Sequence, residues 1–252
     1  MDLGLEGRTF GVGGASKGLG RAVAQTLVAE GARVLVVSRQ PEAAAAELGA
    51  LATPCAADLT TAEGVAAVVA ACRSLGGLDG LLVNAGGPPP GDALDVPDEQ
   101  WEASYRLLLG NPIRLLRALV PDMRDGASVL FVLSSSIRVP IPGLDTSNVL
   151  RPAVAALVKC LALELAPGIR VNSIVPGRID TERVRFLDEN RAAVEGRSYD
   201  EQRAAMSGLI AMGRYGETAE FGRVGAFMLS PAASYVTGEA VQVDGGYIRA
   251  IP

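Results

Sequence analysis

A glycine-rich turn near the start of the chain has the residues of a phosphate-binding loop. It carries three glycines in the spacing Gly-x-x-x-Gly-x-Gly, at Gly14, Gly18 and Gly20. A short apolar stretch with strand character, residues 8–12, precedes the turn, and helical periodicity over residues 21–30 follows it. Glycines let the backbone approach a pyrophosphate closely, and a helix N-terminus offers it unpaired N–H groups. The turn therefore predicts a dinucleotide site, with an ordinary tight turn as the alternative.

Strand-like and helix-like stretches alternate along most of the chain. The strand patterns lie at residues 8–12, 33–37, 52–57, 78–83, 128–133, 170–175 and 240–243. The helical patterns lie at residues 21–30, 41–48, 60–75, 97–123 and 148–166. This alternation is typical of a parallel sheet with helices on both faces. We therefore expect an α/β fold with a doubly wound parallel sheet of about seven strands, in three α/β/α layers, and a single domain over residues 1–252.

The segment 178–214 differs from the rest because it is highly charged and has no strand pattern. We expect one or two amphipathic helices there. Ligands of doubly wound sheets lie beyond the carboxyl ends of the strands, so this segment predicts a lid over a substrate. A solvated helical excursion is an equal alternative. Most of its arginines are expected in surface ion pairs, and they include Arg178, Arg183, Arg185, Arg191, Arg197 and Arg203.

The composition argues against several kinds of partner and site. A formal net charge of −5 gives no electrostatic reason to expect nucleic acid or an anionic membrane. No apolar run approaches the roughly 18 residues of a spanning helix. The chain has no histidine, which removes histidine general bases and most metal sites, and we predict no metal. Three widely separated cysteines fit a reducing compartment, so we expect a cytoplasmic protein.

Further motifs follow the strands in a recognisable order. They are Asp58-Leu59, Asn84-Ala85-Gly86, Pro176-Gly177 with Ile179 and Thr181, Tyr235-Val236-Thr237-Gly238, and Val243-Asp244-Gly245-Gly246. With the glycine turn, they resemble the short-chain dehydrogenase/reductase family from Gly11 to Gly246, and within it the 3-oxoacyl-acyl carrier protein reductases. The resemblance implies a Rossmann-like dinucleotide fold, a small-molecule substrate and a homotetramer. Gly13 and Val83 stand where the family usually has Thr and Asn.

The resemblance also implies which residues bind the cofactor. Asp58 would bond the adenine amino group, and the stretch ending in Pro176-Gly177 would meet the nicotinamide carboxamide. The full set is Gly14, Ser16, Lys17, Gly18, Leu19, Gly20, Ser38, Arg39, Asp58, Leu59, Asn84, Ala85, Gly86, Arg151, Pro176, Gly177, Ile179 and Thr181.

The end of the second strand indicates the type of cofactor. An NAD site needs a carboxylate about 20 residues after the glycines, to accept hydrogen bonds from the ribose hydroxyls. Here the strand ends in Ser38 and Arg39, with no acid before Glu42. The guanidinium of Arg39 can bind a 2′-phosphate, and Lys17 can add a second positive charge. These residues favour NADP(H) over NAD(H), although each basic residue alone is more often a surface charge.

The catalytic positions depart from the family, which carries an Asn–Ser–Tyr–Lys set. The register of the neighbouring helix patterns puts Ser147 in the Tyr position, Arg151 in the Lys position and Leu108 in the Asn position. Ser134, 13 residues before Ser147, keeps the Ser, with a one-residue ambiguity because Ser135 follows it. Three of the four catalytic positions are therefore changed.

These changes weaken proton transfer. A tyrosine has a pKa near 10 that a cation can lower, whereas serine is a far weaker acid and arginine stays protonated below a pH of about 12. Ser147 and Arg151 therefore cannot shuttle a proton as Tyr and Lys do. Arg151 can still donate hydrogen bonds to ribose hydroxyls or to an anion. Tyr105 and Asp145 could replace the missing acid, although core packing and a turn are the simpler interpretations.

Three functions stay open on these residues. The first is a divergent NADP(H)-dependent oxidoreductase that acts on a carbonyl or secondary alcohol with an atypical or weakened acid–base apparatus. The second is a catalytically silent NADP(H)-binding protein with a sensor or assembly role. The third is a different chemistry in which Arg151 holds an anion. We favour the first because the cofactor motifs are retained.

Overall fold

The computed structural model describes residues 2–84 and 86–250 and contains one parallel sheet. Within these residues, its seven strands are β1 (Thr9–Gly13), β2 (Arg33–Ser38), β3 (Ala52–Ala56), β4 (Leu78–Val83), β5 (Met123–Val132), β6 (Ile169–Pro176) and β7 (Ala240–Val243). Their order across the sheet is β3-β2-β1-β4-β5-β6-β7, and all neighbours are parallel. The predicted doubly wound parallel sheet is confirmed.

The strand order reverses between β1 and β4, which lie side by side. The chain moves outward from β1 to β3 in one direction and from β4 to β7 in the other. Phe10 to Val12 of β1 pair with Gly80 to Leu82 of β4. Both strands therefore end at the same edge, where the crevice of a doubly wound sheet opens. The glycine turn after β1 and Asn84 after β4 consequently meet there.

Helices cover both faces of the sheet because successive residues of each buried strand point to opposite sides. The described helices are α1 (Gly18–Ala29), α2 (Glu42–Leu48), α3 (Ala62–Ser74), α4 (Asp98–Tyr105), α5 (Asn111–Leu119), α6 (Asp145–Leu165), α7 (Glu182–Glu195), α8 (Tyr199–Gly208) and α9 (Thr218–Leu229). Leu35 of β2 belongs to a core cluster with α3, α5 and α6. Its neighbour Val34 belongs to a second cluster with α1, α2 and α9. These clusters form the two interfaces of a three-layer fold.

Helix α9 has no counterpart in the sequence prediction. Its residues Gly222 and Gly225 lie against α1, which interrupts the apolar periodicity that marks a buried helix face. A Cβ atom at Gly222 would lie 2.5 Å from the carbonyl oxygen of Ala22, and one at Gly225 would lie 2.7 Å from Val23. The two glycines therefore permit close packing of α9 on α1.

The single helix predicted over residues 97–123 is wrong in two respects. The chain forms α4, then a π-helical segment over Arg106–Gly110, then α5, and β5 begins already at Met123. Pro112 has no N–H group to donate to the carbonyl of Leu108 four residues earlier. In the turn before it, the N–H of Asn111 donates to the carbonyl of Arg106, five residues earlier, which is the hydrogen bond of a π helix. Leu108 therefore lies inside the π-helical segment.

Two helices, α7 and α8, occupy the charged segment 178–214. Asp188 of α7 is fully buried and pairs with Arg178, and the hydroxyl of Tyr215 donates a 2.8 Å hydrogen bond to its other carboxylate oxygen. The sequence analysis expected mostly surface ion pairs and did not foresee the buried pair of Arg178 and Asp188, which anchors α7. Among the helices of the described chain, none is long and apolar enough to cross a membrane.

Candidate active site

The glycine turn joins β1 to α1 at the crevice, and its glycines are required by geometry. Gly14 and Gly18 have φ angles of +61° and +60°, which side chains on L-residues rarely allow. A Cβ atom at Gly20 would lie 2.5 Å from the carbonyl oxygen of Gly14. The side-chain amide of Asn84 donates to the carbonyl of Gly13 at 3.3 Å and so ties the end of β4 to the turn.

The first turn of α1 is free to receive an anion. Lys17 is the N-cap residue, its side chain makes no capping hydrogen bond, and the first turn contains no acidic residue. The unpaired N–H groups and the positive end of the helix dipole therefore face the turn without a counter-charge from the helix itself. Ser16 is partly exposed beside them, and Leu19 packs partly against the core.

The end of β2 presents an unusual hydroxyl. The Oγ atom of Ser38 is buried and has no hydrogen-bond partner among the described residues, and Arg39 beside it is exposed. A buried polar atom without a partner is costly, so a polar ligand at this point would be favoured. The ammonium of Lys17 instead contacts Glu182 at 2.6 Å and lowers the pKa of that carboxyl group. Both side chains are largely exposed, so this pair contributes little and a phosphate can compete for Lys17.

The remaining predicted cofactor residues surround the same crevice. Asp58 is exposed, and its carboxylate accepts hydrogen bonds from Thr60, which lower its pKa. The hydroxyl of Thr181 caps α7 by accepting from the N–H of Val184 at 3.3 Å. Gly86 is exposed, Leu59, Pro176 and Gly177 are partly buried, and Ile179 is buried. Ala85 lies outside the described residues.

A pair of serine hydroxyls occupies the predicted catalytic position. The Oγ atoms of Ser136 and Ser147 lie 3.3 Å apart, and both side chains are buried. Ser134 accepts from the N–H of Ser136 at 3.2 Å and caps a short 3-10 turn over Ser135–Ile137. The structure therefore brings Ser136 to Ser147. The only sequence signal for Ser136 is the run of three serines.

Arg151 is the most unusual group at the site. The residue is 8% exposed, and its guanidinium donates a 3.1 Å hydrogen bond to the carbonyl of Val132. Burial and, to a smaller extent, the positive charge of Arg183 together lower the pKa of Arg151 to about 10. The group stays protonated at neutral pH, because a pKa of about 10 is still well above it.

Arg151 shares a small apolar cavity with Leu108. The cavity has a volume of about 10 Å³, room for roughly one water molecule. Its walls are Val83, Leu108, Pro112, Phe131, Val132, Leu133, Arg151 and Val154. Two of them, Val83 and Leu108, stand where the sequence resemblance expects asparagines. The other side chains that line this cavity therefore offer the cation no hydrogen bond.

The two alternative proton donors differ in their surroundings. Tyr105 is 52% exposed, so the simpler interpretation, in which this tyrosine packs in the core, is wrong. The carboxylate of Asp145 accepts from the backbone N–H of Ala93 and from the side chain of Asn148, each at 2.9 Å. Asp145 thus fixes the loop that precedes α6 instead of pointing a free carboxylate at Ser147.

A family model described as enoyl-(acyl carrier protein) reductase matches residues 14–248. Dehydrogenase/reductase SDR family member 4 of Homo sapiens is 35% identical over 240 residues, which cover 91% of this chain and 83% of that protein. The chain belongs to the short-chain dehydrogenase/reductase family. The family membership inferred from the motifs is thereby confirmed.

Further members of the short-chain dehydrogenase/reductase family match over nearly their whole length. The 3-oxoacyl-[acyl-carrier-protein] reductase of Vibrio cholerae is 30% identical over 251 residues, covering 97% of this chain and 98% of that protein. L-sorbose reductase from Gluconobacter frateurii, solved with NADPH and L-sorbose, superposes with a TM-score of 0.93 at 31% identity and covers both chains completely. The protein is therefore an oxidoreductase of this family by descent and fold.

Proposed function

We propose that this protein is a divergent NADP(H)-dependent oxidoreductase that acts on a carbonyl or secondary alcohol with a weakened acid–base apparatus. The contrast between the two ends of the crevice carries the proposal. The cofactor end keeps an open helix N-terminus and a buried Ser38 hydroxyl without a partner among the described residues. The catalytic position, in contrast, holds a pair of serines. The solved L-sorbose reductase with NADPH supports the choice of cofactor.

The residues at the crevice suit NADP(H). The first turn of α1 would bind the pyrophosphate, and Ser38 with Arg39 would receive the 2′-phosphate. A bound nicotinamide supplies or accepts a hydride. We also propose that α7 and α8 form a lid over the substrate, since Thr181 and Glu182 begin α7 beside the glycine turn.

Acid–base chemistry is the weak part of the site. The hydroxyls of Ser136 and Ser147 can donate hydrogen bonds to a carbonyl oxygen, but neither releases a proton near neutral pH. Arg151 holds its proton up to a pH of about 10. Loss of general acid catalysis costs about 10²–10⁴-fold, or roughly 3–6 kcal/mol of barrier. Orientation of the substrate against the nicotinamide still provides about 7–11 kcal/mol. We therefore expect slow turnover.

Restoring the family's residues tests this proposal. Ordinary ketone or 3-oxoacyl thioester reduction should be very slow in the native protein, and Leu108→Asn, Ser147→Tyr and Arg151→Lys together should raise it. Each single change should do little, because residues that act as a unit are grossly non-additive. The measurement is NADPH oxidation with a small 3-oxoacyl thioester, after folding and NADPH binding of each variant are established.

Each outcome decides something. A fast native enzyme would show that another group donates the proton, and Tyr105 would be mutated first. Native and triple variants that bind NADPH but stay inactive would favour the silent nucleotide-binding protein. Absence of NADPH binding would overturn the proposal itself.

A further inference from the structure

The arginines of segment 178–214 are paired with carboxylates in every case but one. The six pairs are Arg178–Asp188, Arg185–Glu189, Arg191–Glu195, Arg197–Glu195, Arg203–Asp180 and Arg214–Glu220. Arg183 is the exception within the described residues. Its position is therefore not explained by the ion pairing that accounts for the other arginines of the segment.

Arg183 reaches from α7 across to the loop that follows β4. Its Nη2 atom donates to the carbonyl of Pro88 at 3.0 Å, and a Cβ atom at Gly87 would lie 3.0 Å from the same nitrogen. The ring of Phe186 lies 5.8 Å from the guanidinium carbon and holds the side chain from the other side. The guanidinium is thus held against the loop that follows β4, while the residue as a whole is exposed.

Arg151 of α6 carries the same charge and is close enough to Arg183 for that charge to lower its pKa. It is buried, its hydrogen bond goes to a backbone carbonyl, and its neighbours in the cavity are apolar. The carboxylate of Asp145, at the start of the same helix, is occupied by Ala93 and Asn148. Two cations therefore lie close enough for their charges to interact, and within residues 2–84 and 86–250 neither has a carboxylate partner.

Two guanidinium groups without a counter-ion repel each other, and the buried one loses hydration as well. A bound oxyanion would relieve both costs, and a guanidinium forms paired hydrogen bonds with carboxylates and phosphates. We infer that Arg183, with Arg151 close by, receives an oxyanion group of the substrate, either a carboxylate or a phosphate. This inference rests on the proposed oxidoreductase function and adds the substrate class.

The cofactor's own pyrophosphate is a competing source of the anion. The glycine turn and the first turn of α1 already provide donors for that group, so Arg183 is available for a second anion. Cofactor affinity and anion affinity therefore have to be measured separately in the same variants.

The test uses small probes on the full chain, with and without saturating NADPH, at constant ionic strength. Malonate represents a carboxylate, inorganic phosphate represents a phosphate, and neutral malonamide is the uncharged control. Binding is followed by calorimetric titration. Arg183→Met is compared with Arg185→Met, a matched control on the same helix whose arginine is paired with Glu189.

We expect malonate or phosphate to bind the native protein, and malonamide to bind far more weakly. Arg183→Met should weaken the bound probe roughly 10–100-fold, while Arg185→Met stays within about 2-fold of native. The stronger of the two probes identifies the anion. The NADPH affinity should be unchanged in both variants.

Three results would overturn the inference. They are equal probe affinities in native and Arg183→Met proteins, no binding of either anion, or a parallel loss of NADPH affinity, which would place Arg183 in the cofactor site. Failure of the native protein to bind NADPH would instead contradict the proposed function, and the titrations without NADPH would still decide about Arg183.

Discussion

Ser147 meets Ser136 hydroxyl to hydroxyl, 3.3 Å apart, at the place where the family resemblance expects a tyrosine. Each oxygen can donate or accept, so the pair can orient a carbonyl group between them and the crevice. Neither hydroxyl has an adjacent base or cation within hydrogen-bonding distance among the described residues. The relationship favours substrate positioning over proton transfer.

Replacement of Arg151 by methionine should stabilise the protein in the absence of ligand. The change removes a buried charge that lacks a carboxylate partner, and we expect the free energy of unfolding to rise by about 1–3 kcal/mol. For a chain of this size, each kcal/mol corresponds to roughly 2–4 °C in melting temperature. The control is Arg33→Met, which changes an exposed arginine of β2. A lower melting temperature for Arg151→Met would show that the guanidinium is compensated in the folded protein.

Replacement of Asp188 by asparagine should loosen the segment 178–214. Asp188 is fully buried and binds both Arg178 and the hydroxyl of Tyr215, so the variant leaves the charge of Arg178 uncompensated. We expect a loss of about 3–5 kcal/mol. Urea unfolding measures the loss in the free energy of unfolding, and hydrogen exchange should show faster opening of α7 and α8. Glu189→Gln breaks an exposed pair on the same helix and should change little; equal effects of the two variants would contradict this account.

Cofactor preference should depend on the end of β2. We expect tighter binding of NADPH than of NADH, because Arg39 can bind a 2′-phosphate and no carboxylate is present to accept from ribose hydroxyls. Arg39→Asp should reduce NADPH affinity by at least about 10-fold and narrow or reverse the preference. Fluorescence titration with NADPH and with NADH measures the two affinities and hence the preference. Arg33→Asp, with the same charge change at the other end of the strand, is the control, and equal affinities in the native protein would refute the assignment.

An exposed apolar stripe on α6 should mediate a homotetramer, as the family resemblance implies. The stripe has helical spacing and consists of Val149, Ala153, Ala156, Cys160 and Leu163. Leu163 is 78% exposed, so Leu163→Glu should shift the protein toward smaller species. Light scattering at micromolar concentration measures the mass. Leu94→Glu alters a fully exposed leucine outside α6 and should leave the mass unchanged; a monomeric native protein would end this proposal.

Local patterns were sufficient for the sheet and the glycine turn. The buried strands are runs of apolar residues, and Gly14, Gly18 and Gly20 are close in sequence, so both signals lie within a few residues. Helix α9 was not predicted because Gly222 and Gly225 occupy the positions where apolar side chains would mark its buried face. The π-helical segment before α5 was not predicted from the sequence. The missing N–H of Pro112 changes the hydrogen bonding of the preceding turn, and no residue type in that turn signals the change.

Contacts between distant residues could be predicted only in part. The sequence register named both Leu108 and Arg151, and the structure places them on one cavity. It could not separate Arg178, whose partner is buried, from arginines with surface partners, because both kinds alternate with acids along the chain. The sequence spacing selected Ser134, with a one-residue ambiguity, and it could not show that the 3-10 turn over Ser135–Ile137 brings the hydroxyl of Ser136 to Ser147.

The close contact between α9 and α1 couples the proposed cofactor site to a helix that supplies none of its proposed residues. The C-terminal part of the chain supplies Gly222, and α1 carries the N–H groups that would face the pyrophosphate. A methyl group at position 222 cannot fit against Ala22 unless the two helices separate. Helix α1 would then shift relative to the sheet and carry its first turn with it. A random-mutagenesis screen for altered cofactor affinity should therefore recover substitutions in α9 that never touch the nucleotide.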